Sequence, residues 1–499
     1  MAPPRPIGGQ DHLSACYFPD RASGVMVTID VREGAESSDT PSGRVPVLDA
    51  PGLSVYTSPC DARFRHRYHA LLNARFVFCT CGPGCHPSGG WALIPLLKLI
   101  LVFAGIVLLI SRKWNLGLVL LLATVVTGLL FGHPLTAVGV DVVLASVDIL
   151  TLRLALAVVL IMTLSELLRE TASLHRMVEA LQVLIPSGRL VIAALPSLIG
   201  LLPMVGGAMF SAPMVDEVGD RLGLDRERKT FVNYWFRHIW EYVFPLYPSF
   251  MLAAALMNLE PLRLTSATWP LTAGAVVSGV IFGLLGISEN SDDGPSSSRL
   301  ESVQPLLVSI WPVMLVIVLS LTLPVDERAT LILSLVVTIG LMMGVNRISL
   351  GKLGVVLRQR IPWPTIGVLF GALIFRRVLD NSGAVHAVSE ALAQPYVPVP
   401  VVTFFIPFIA GLLTGLSAGA FSIGLPVVVP LVVADGGTLS SGWAAWLMAG
   451  GFLGVMCSPL HLCLSLTRVY FEAEWGPIYR RIVPSSIVVA VIAVVLLLI

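Results

Sequence analysis

The most chemically loaded stretch of the chain is WFRHIWEYVFPLYP, residues 235–248. It places Arg237, His238 and Glu241 within about one helical turn of an otherwise apolar run. At i,i+3 spacing His238 and Glu241 share a helix face and can pass a proton between them. An ionisable group inside an apolar span is a functional candidate by default. The bland alternative is an Arg237–Glu241 ion pair at a helix entrance, because i,i+4 partners neutralise each other. His461 stands beside a second interruption, MCSPLHL (456–462), where it can ligate a solute or pack as a neutral ring. We assign no catalytic residues and no metal ligands from these patterns.

The seven cysteines fall into two groups. Cys457 and Cys463 lie in a late apolar run. Cys79, Cys81 and Cys85 lie with His86 in CTCGPGCH, preceded by Cys16 and Cys60. The spacing in CTCGPGCH is not that of a zinc finger, and no second ligand pair follows it. There is no G-x-x-x-x-G-K-[ST] loop and no H-E-x-x-H helix, so neither ATP hydrolysis nor zincin chemistry is expected. A net charge of +1 gives no nucleic-acid footprint.

Backbone chemistry points to further sites. GLLPMVGGAMFSAP (200–213) and GLLTGLSAGAFSIG (411–424) lie in greasy segments yet carry Pro, Gly and Ser at their middles. A chain that leaves helical geometry in hydrocarbon strands its N–H and C=O groups, unless protein or a water-filled cavity covers the break. Four such breaks are visible: tips near 203–211 and 414–422, and interruptions at FPLYPSF (244–250) and MCSPLHL. Helices that begin at a break aim positive dipole ends at an anion, and helices that end there aim carbonyls at a cation. Gly206, Gly207, Ala418 and Gly419 let a solute approach bare backbone. Ser211, Thr414, Ser417, Ser422, Ser249 and Ser458 supply hydroxyls. The substrate-binding set is therefore Gly206, Gly207, Ser211, Thr414, Ser417, Gly419, Ser422, Ser249, Ser458 and His461, with His238 and Glu241 as coupling residues. The alternative for the glycines is close helix packing. For each serine it is a bond to its own helix.

These residues need elements to hold them. The chain is 499 residues long, 55% hydrophobic and 13% charged. Its mean hydropathy of +0.84 marks a polytopic membrane protein. Residues 1–90 are rich in Pro, Gly, Ser and Arg and contain no lysine. They read as a poorly structured extension or as the product of a misassigned start. Apolar runs predict ten spans near 91–110, 115–131, 149–168, 231–258, 269–287, 305–323, 326–346, 362–379, 441–467 and 482–499. Segments 171–184 and 347–360 read as amphipathic surface helices.

Sliding the chain by 211 residues superposes its halves, 91–287 and 305–499, across a polar linker at 288–304. Between 168 and 215, 12 of 48 positions are identical, including His175 on His386, Pro196 on Pro407 and Ser211 on Ser422. Five spans and one re-entrant hairpin per half make an odd number of crossings, which inverts the second copy. This topology gathers 17 Lys and Arg residues on one face and leaves five on the other. That bias makes the first face cytoplasmic. The expected fold is all-α and polytopic, with about ten transmembrane helices and two re-entrant hairpins in two inverted repeats.

The doubled hairpins and the RHIWEYVFPLYPSF stretch resemble the prokaryotic membrane-protein family catalogued as domain of unknown function 401, over roughly residues 95–499. That family is grouped with the ion-transporter superfamily of citrate, gluconate, dicarboxylate and arsenite permeases. The resemblance implies paired re-entrant hairpins, an inverted repeat, a homodimer in many members and elevator-like alternating access in a prokaryotic inner membrane. Dicarboxylate members carry Ser-Asn-Thr signatures at their hairpin tips. Here the tips read VGGAMFS and LSAGAFS, without Asn, which leaves the solute open. The expected function is secondary transport of a small organic or inorganic anion, coupled to H⁺ or Na⁺. No cofactor is expected beyond the coupling ion, and no partner beyond solute, lipid bilayer and a second copy. The rival functions are an intramembrane enzyme built on Ser211 or Ser422, and a passive channel.

Overall fold

The computed structural model describes residues 94–499 apart from 172, 186, 204–206, 289–298, 324–326, 386, 389–397 and 434–436. The tail with CTCGPGCH, the hairpin residue Gly206, His386 and most of the polar linker lie outside the described residues. Among those described, the regular structure is helical.

The first half runs through α1 (Ile94–Ser111), α2 (Leu116–Leu130), α3 (Leu135–Val147), α4 (Ile149–Glu170) and α5 (Ser173–Leu184). It continues through α6 (Gly188–Gly200), α7 (Ala208–Arg221), α8 (Arg226–Arg237), α9 (Pro248–Leu256) and α10 (Pro261–Gly279), which ends in a π turn at Val280–Leu284. The second half has α11 (Arg299–Thr322), α12 (Glu327–Val345), the short α13 (Leu350–Val355) and α14 (Trp363–Asn381). Then come α15 (Val399–Thr414), α16 (Ser417–Val428), α17 (Ser441–Met456), α18 (Leu462–Phe471) and α19 (Trp475–Leu498).

Short polar residues between apolar runs start these helices. Asn115 accepts from Gly117 N at 2.9 Å, Asp148 from Leu150 N at 3.0 Å and Ser440 from Trp443 N at 3.3 Å. Each satisfies a donor that hydrocarbon would leave bare.

Among the described residues five helices are long and apolar enough to cross a bilayer, Ile94–Ser111, Ile149–Glu170, Pro261–Leu284, Val303–Thr322 and Trp475–Leu498, or six if the bent pair Leu350–Arg360 and Trp363–Asn381 counts as one span. Eight shorter apolar helices of 10–17 residues accompany them. The ten runs read from sequence therefore divide differently. The runs at 231–258 and 441–467 each fold as two helices around a break. Neither piece alone reaches the ~20 residues that 30 Å of hydrocarbon needs. Helix α3 occupies residues that the sequence reading leaves between spans. Segments 171–184 and 347–360 are helical, at Ser173–Leu184 and at Leu350–Val355 running into a π turn at Val356–Arg360.

Element positions recur along the chain. Adding 211 to the first residues of α2 and α6 gives the first residues of α12 and α15, and adding it to the last residue of α4 gives the last of α14. Packing between the halves is reciprocal. α2 packs on α14 and α12 on α4; α9 packs on α16 and α18 on α7; α8 packs on α19 and α17 on α10. The last helices of the two halves run antiparallel. Ile492 of α19 lies over Gly274 of α10, while Arg481, a few turns earlier in α19, donates to Phe282 O at 2.7 Å, beyond Gly274.

Both broken segments fold back on themselves. Pro407 of α15 abuts Gly424 of α16, and Thr414 abuts Gly419, so the two helices form an antiparallel hairpin with its tip at Gly415–Leu416. In the first half Leu222, just past α7, lies over Gly188 at the start of α6.

Helix α17 holds the second hairpin through backbone-to-backbone contact. A Cβ on Gly450 would lie 2.7 Å from Phe404 O, and one on Gly454 would meet Phe408 O. Small residues at four-residue spacing let two helices approach this closely. The obstacle is backbone, which cannot rotate away. Gly454→Leu should therefore destabilise the protein by more than the ~1–3 kcal/mol of ordinary overpacking. The check is the fraction recovered as a single species on size exclusion in detergent, expected to fall to near zero. Gly340→Leu, where no neighbour stands within 4 Å, should leave that fraction unchanged.

Candidate functional site

Four helix ends meet where the breaks fall. Helix α8 stops at Arg237 and passes through a 3-10 turn, Ile239–Tyr242, before α9 restarts at Pro248. Pro248 supports a first helical turn, where a missing N–H costs nothing, and Pro245 interrupts the preceding chain. Helix α17 stops at Met456, and α18 restarts at Leu462 with His461 as the preceding residue. The tip of the second hairpin sits against this second break. Ser458 donates to Leu412 O at 2.6 Å, and its Oγ accepts from Leu460 N at 3.2 Å. Gly415 has φ +65°, and a Cβ there would lie 2.6 Å from the Leu460 carbonyl carbon.

A buried polar cluster fills the junction. His238, Glu241, His461 and Cys463 are each less than a tenth exposed. His238 Nε2 lies 3.1 Å from His461 Nε2 and 3.8 Å from Glu241 Oε1. Glu241 Oε2 accepts from Ser417 Oγ at 2.9 Å. A carboxylate from the first half is thus bonded by the first residue of α16, at the hairpin tip of the second half. The Tyr234 ring packs on both imidazoles, with centroids at 4.8 and 5.5 Å, and its hydroxyl donates to Met456 O at 3.1 Å. Arg237 is buried and hydrogen-bonds Tyr247, whose hydroxyl also donates to Gly200 O at the end of α6.

A second buried group stands at the start of α7. Asn233 Nδ2 donates to Ala208 O at 3.0 Å and to Thr467 Oγ1 at 3.2 Å. Its Oδ1 is buried and meets no hydrogen-bond donor among the described residues. That leaves a bare acceptor between the first hairpin, α8 and α18.

The residues singled out from sequence divide in two. His238, Glu241, His461 and Ser417 come together. Thr414 Oγ1 donates to Ala410 O and accepts from Leu416 N, and so shapes the turn. Gly419 leaves room for the Thr414 side chain, and Ser458 locks the break to the hairpin. Ser211 and Ser422 are fully buried and donate to Ala208 O and Gly419 O of their own helices at 3.2 and 3.3 Å. Ser249 is buried in the first turn of α9, and Gly207 is buried just before α7.

Cys463, Tyr234, Tyr247, Asn233 and Thr467 also belong to the site, and the sequence reading passes over them. Cys463 had a signal, since it follows His461 by two residues at a helix start. Asn233 had one as well, as an amide within an apolar run.

No curated relative matches the chain. The family described as Protein of unknown function (DUF401) matches residues 95–499. That span covers both hairpins, both breaks and the buried cluster, and the protein belongs to this family.

Proposed function

We propose that the protein is a secondary active transporter of a small anion, driven by H⁺ or Na⁺, in a prokaryotic inner membrane. In this reading the halves are inverted repeats, and the two hairpins enter the bilayer from opposite faces without crossing it. The antiparallel run of α10 and α19, the reciprocal packing and the folded-back hairpins support that arrangement. The single observation that carries the function is the Glu241–Ser417 contact beside the His238–His461 pair. It joins a helix break of one half to a hairpin tip of the other, within a buried polar centre. Discontinuous helices meeting at a repeat interface are the usual build of a midplane solute site.

The parts then take roles. The N-termini of α7, α9, α16 and α18 turn their free N–H groups toward the breaks, where an oxyanion gains from them. Buried Arg237 adds positive charge nearby. Asn233 Oδ1, buried and without a donor among the described residues, offers a hard oxygen of the kind Na⁺ takes. Glu241 is the carrier if protons drive the cycle. The serines required by an intramembrane hydrolase, Ser211 and Ser422, spend their hydroxyls on their own helices, which weighs toward transport.

The test is uptake in proteoliposomes of carboxylates, sugar acids and oxyanions first selected by thermal shift, with and without Na⁺. Accumulation should require an imposed ion gradient. Gly207→Leu should abolish it while leaving membrane insertion intact; undiminished uptake in that variant removes the hairpin assignment. Conductance far above transporter turnover would instead make the protein a channel, and solute conversion in detergent would make it an enzyme.

A further inference from the structure

The two imidazoles of the cluster are held in one tautomer each. His238 Nδ1 lies 2.6 Å from Tyr234 O, and His461 Nδ1 lies 2.8 Å from Gly415 O. A carbonyl oxygen only accepts, so both Nδ1 atoms carry hydrogen. In neutral rings each Nε2 is then a bare lone pair. Yet the two Nε2 atoms face one another at 3.1 Å. Two acceptors at that distance repel unless a cation lies between them.

The surroundings identify the cation. Cys463 Sγ joins the two imidazoles, one ligand atom from each of the three residues lying within 4.8 Å of the others. Glu241 Oε1, at 3.8 Å from His238 Nε2, is placed for a fourth position. A tetrahedral ion with bonds of about 2.0–2.1 Å to nitrogen and 2.3 Å to sulfur holds its ligand atoms roughly 3.3–3.7 Å apart, close to the 3.1 Å between the two Nε2 atoms; the thiol, within 4.8 Å, comes into range with a small side-chain adjustment. Histidine ligands of metals characteristically donate the other ring N–H to a carbonyl or carboxylate, and both rings here do so. Imidazole and thiolate donors suit borderline transition metals, not Na⁺, Mg²⁺ or Ca²⁺. One thiolate and one carboxylate offset the two charges of a divalent ion, leaving the charge of buried Arg237 nearby. The offset matters where an unpaired buried charge is costly.

We infer that His238, His461 and Cys463, with Glu241 completing the set, form a binding site for a divalent transition-metal ion of the Zn²⁺ type at the junction of the two halves. The ligands come from both helix breaks, so the ion ties the first half to the second. The inference stands on coordination geometry alone and does not require that the chain move a solute.

The experiment uses the full chain purified in detergent. Cys16, Cys60, Cys79, Cys81 and Cys85 are first replaced by Ser, so that the amino-terminal thiols cannot report. Metal content is measured by mass spectrometry after dialysis against Zn²⁺ and then against weak chelator. About one ion per chain should remain, and Cys463→Ser or His461→Gln in the same background should lower retention at least tenfold. Loading with Co²⁺ should give a thiolate-to-cobalt charge-transfer band that Cys463→Ser removes. Tryptophan fluorescence and size exclusion establish that each variant is folded. Folded protein that retains no metal and gives no Co²⁺ band overturns the proposal and leaves a shared proton in the gap. Undiminished retention in the folded Cys463→Ser/His461→Gln double variant also overturns it, because the ion is then bound elsewhere.

Discussion

Glu241→Ala should lower gradient-driven uptake in proteoliposomes by at least about 10²-fold, the equivalent of the ~3 kcal/mol or more lost when one partner of a buried charged set is removed. Glu241 is the one carboxylate of the cluster, and it is held from the opposite half by Ser417 at 2.9 Å. Removing it takes away negative charge beside two imidazoles and leaves the Ser417 hydroxyl without its acceptor. Glu241→Gln separates these effects. The amide oxygen still accepts from Ser417, so folding and hairpin position should survive while the charge is lost. Uptake by Glu241→Gln should fall nearly as far as by Glu241→Ala, with wild-type thermal stability. Ser417→Ala removes one hydrogen bond worth roughly 1 kcal/mol and should cost only about fivefold. Wild-type rates in Glu241→Ala, at equal protein per vesicle, would mean that the buried cluster is scaffolding.

The second large effect is structural. Gly415→Val should prevent recovery of folded protein or lower its unfolding midpoint sharply, with a combined cost of roughly 3 kcal/mol or more. Two causes add. The residue has φ +65°, where a β-branched side chain is strained. A Cβ would also lie 2.7 Å from His461 N. That backbone cannot retreat, because Ser458 fastens it to Leu412 O and His461 Nδ1 is bonded to Gly415 O. Gly132→Val isolates the first cause. Gly132 has φ +80° but no neighbour within 4 Å of a Cβ, so only the ~1–2 kcal/mol conformational cost applies. The measurement is thermal unfolding in detergent followed by tryptophan fluorescence. Equal midpoints for the two variants would remove the tight tip from the account.

The hairpins were legible because proline, glycine and serine in a greasy run are costly unless covered, so their presence marks a place where the chain must turn. The 211-residue shift is read from Pro196 on Pro407 and Gly200 on Gly411, and three helix boundaries fall on it: the starts of α2 with α12 and of α6 with α15, and the ends of α4 with α14. Span lengths were less legible. Hydropathy sums over a window, and a window cannot see that Arg237 and Met456 end their helices halfway. The serines were over-read, since a hydroxyl in a helix has its own carbonyl within reach. Ser211 and Ser422 both use it.

From its sequence alone this chain is committed to a membrane, to helices and to four interruptions, because hydropathy and the missing N–H of proline act locally. Which interruptions meet is not local. His238 and His461 are 223 positions apart and do not correspond under the 211-residue shift, so neither periodicity nor repeat matching pairs them. Cys463 and Asn233 gain meaning only from neighbours that other helices bring. Packing of α8, α16 and α18 around the breaks decided that the imidazoles, the thiol and the carboxylate share one buried volume. Burial then makes their mutual distances matter, because a charge or lone pair there has no water to turn to.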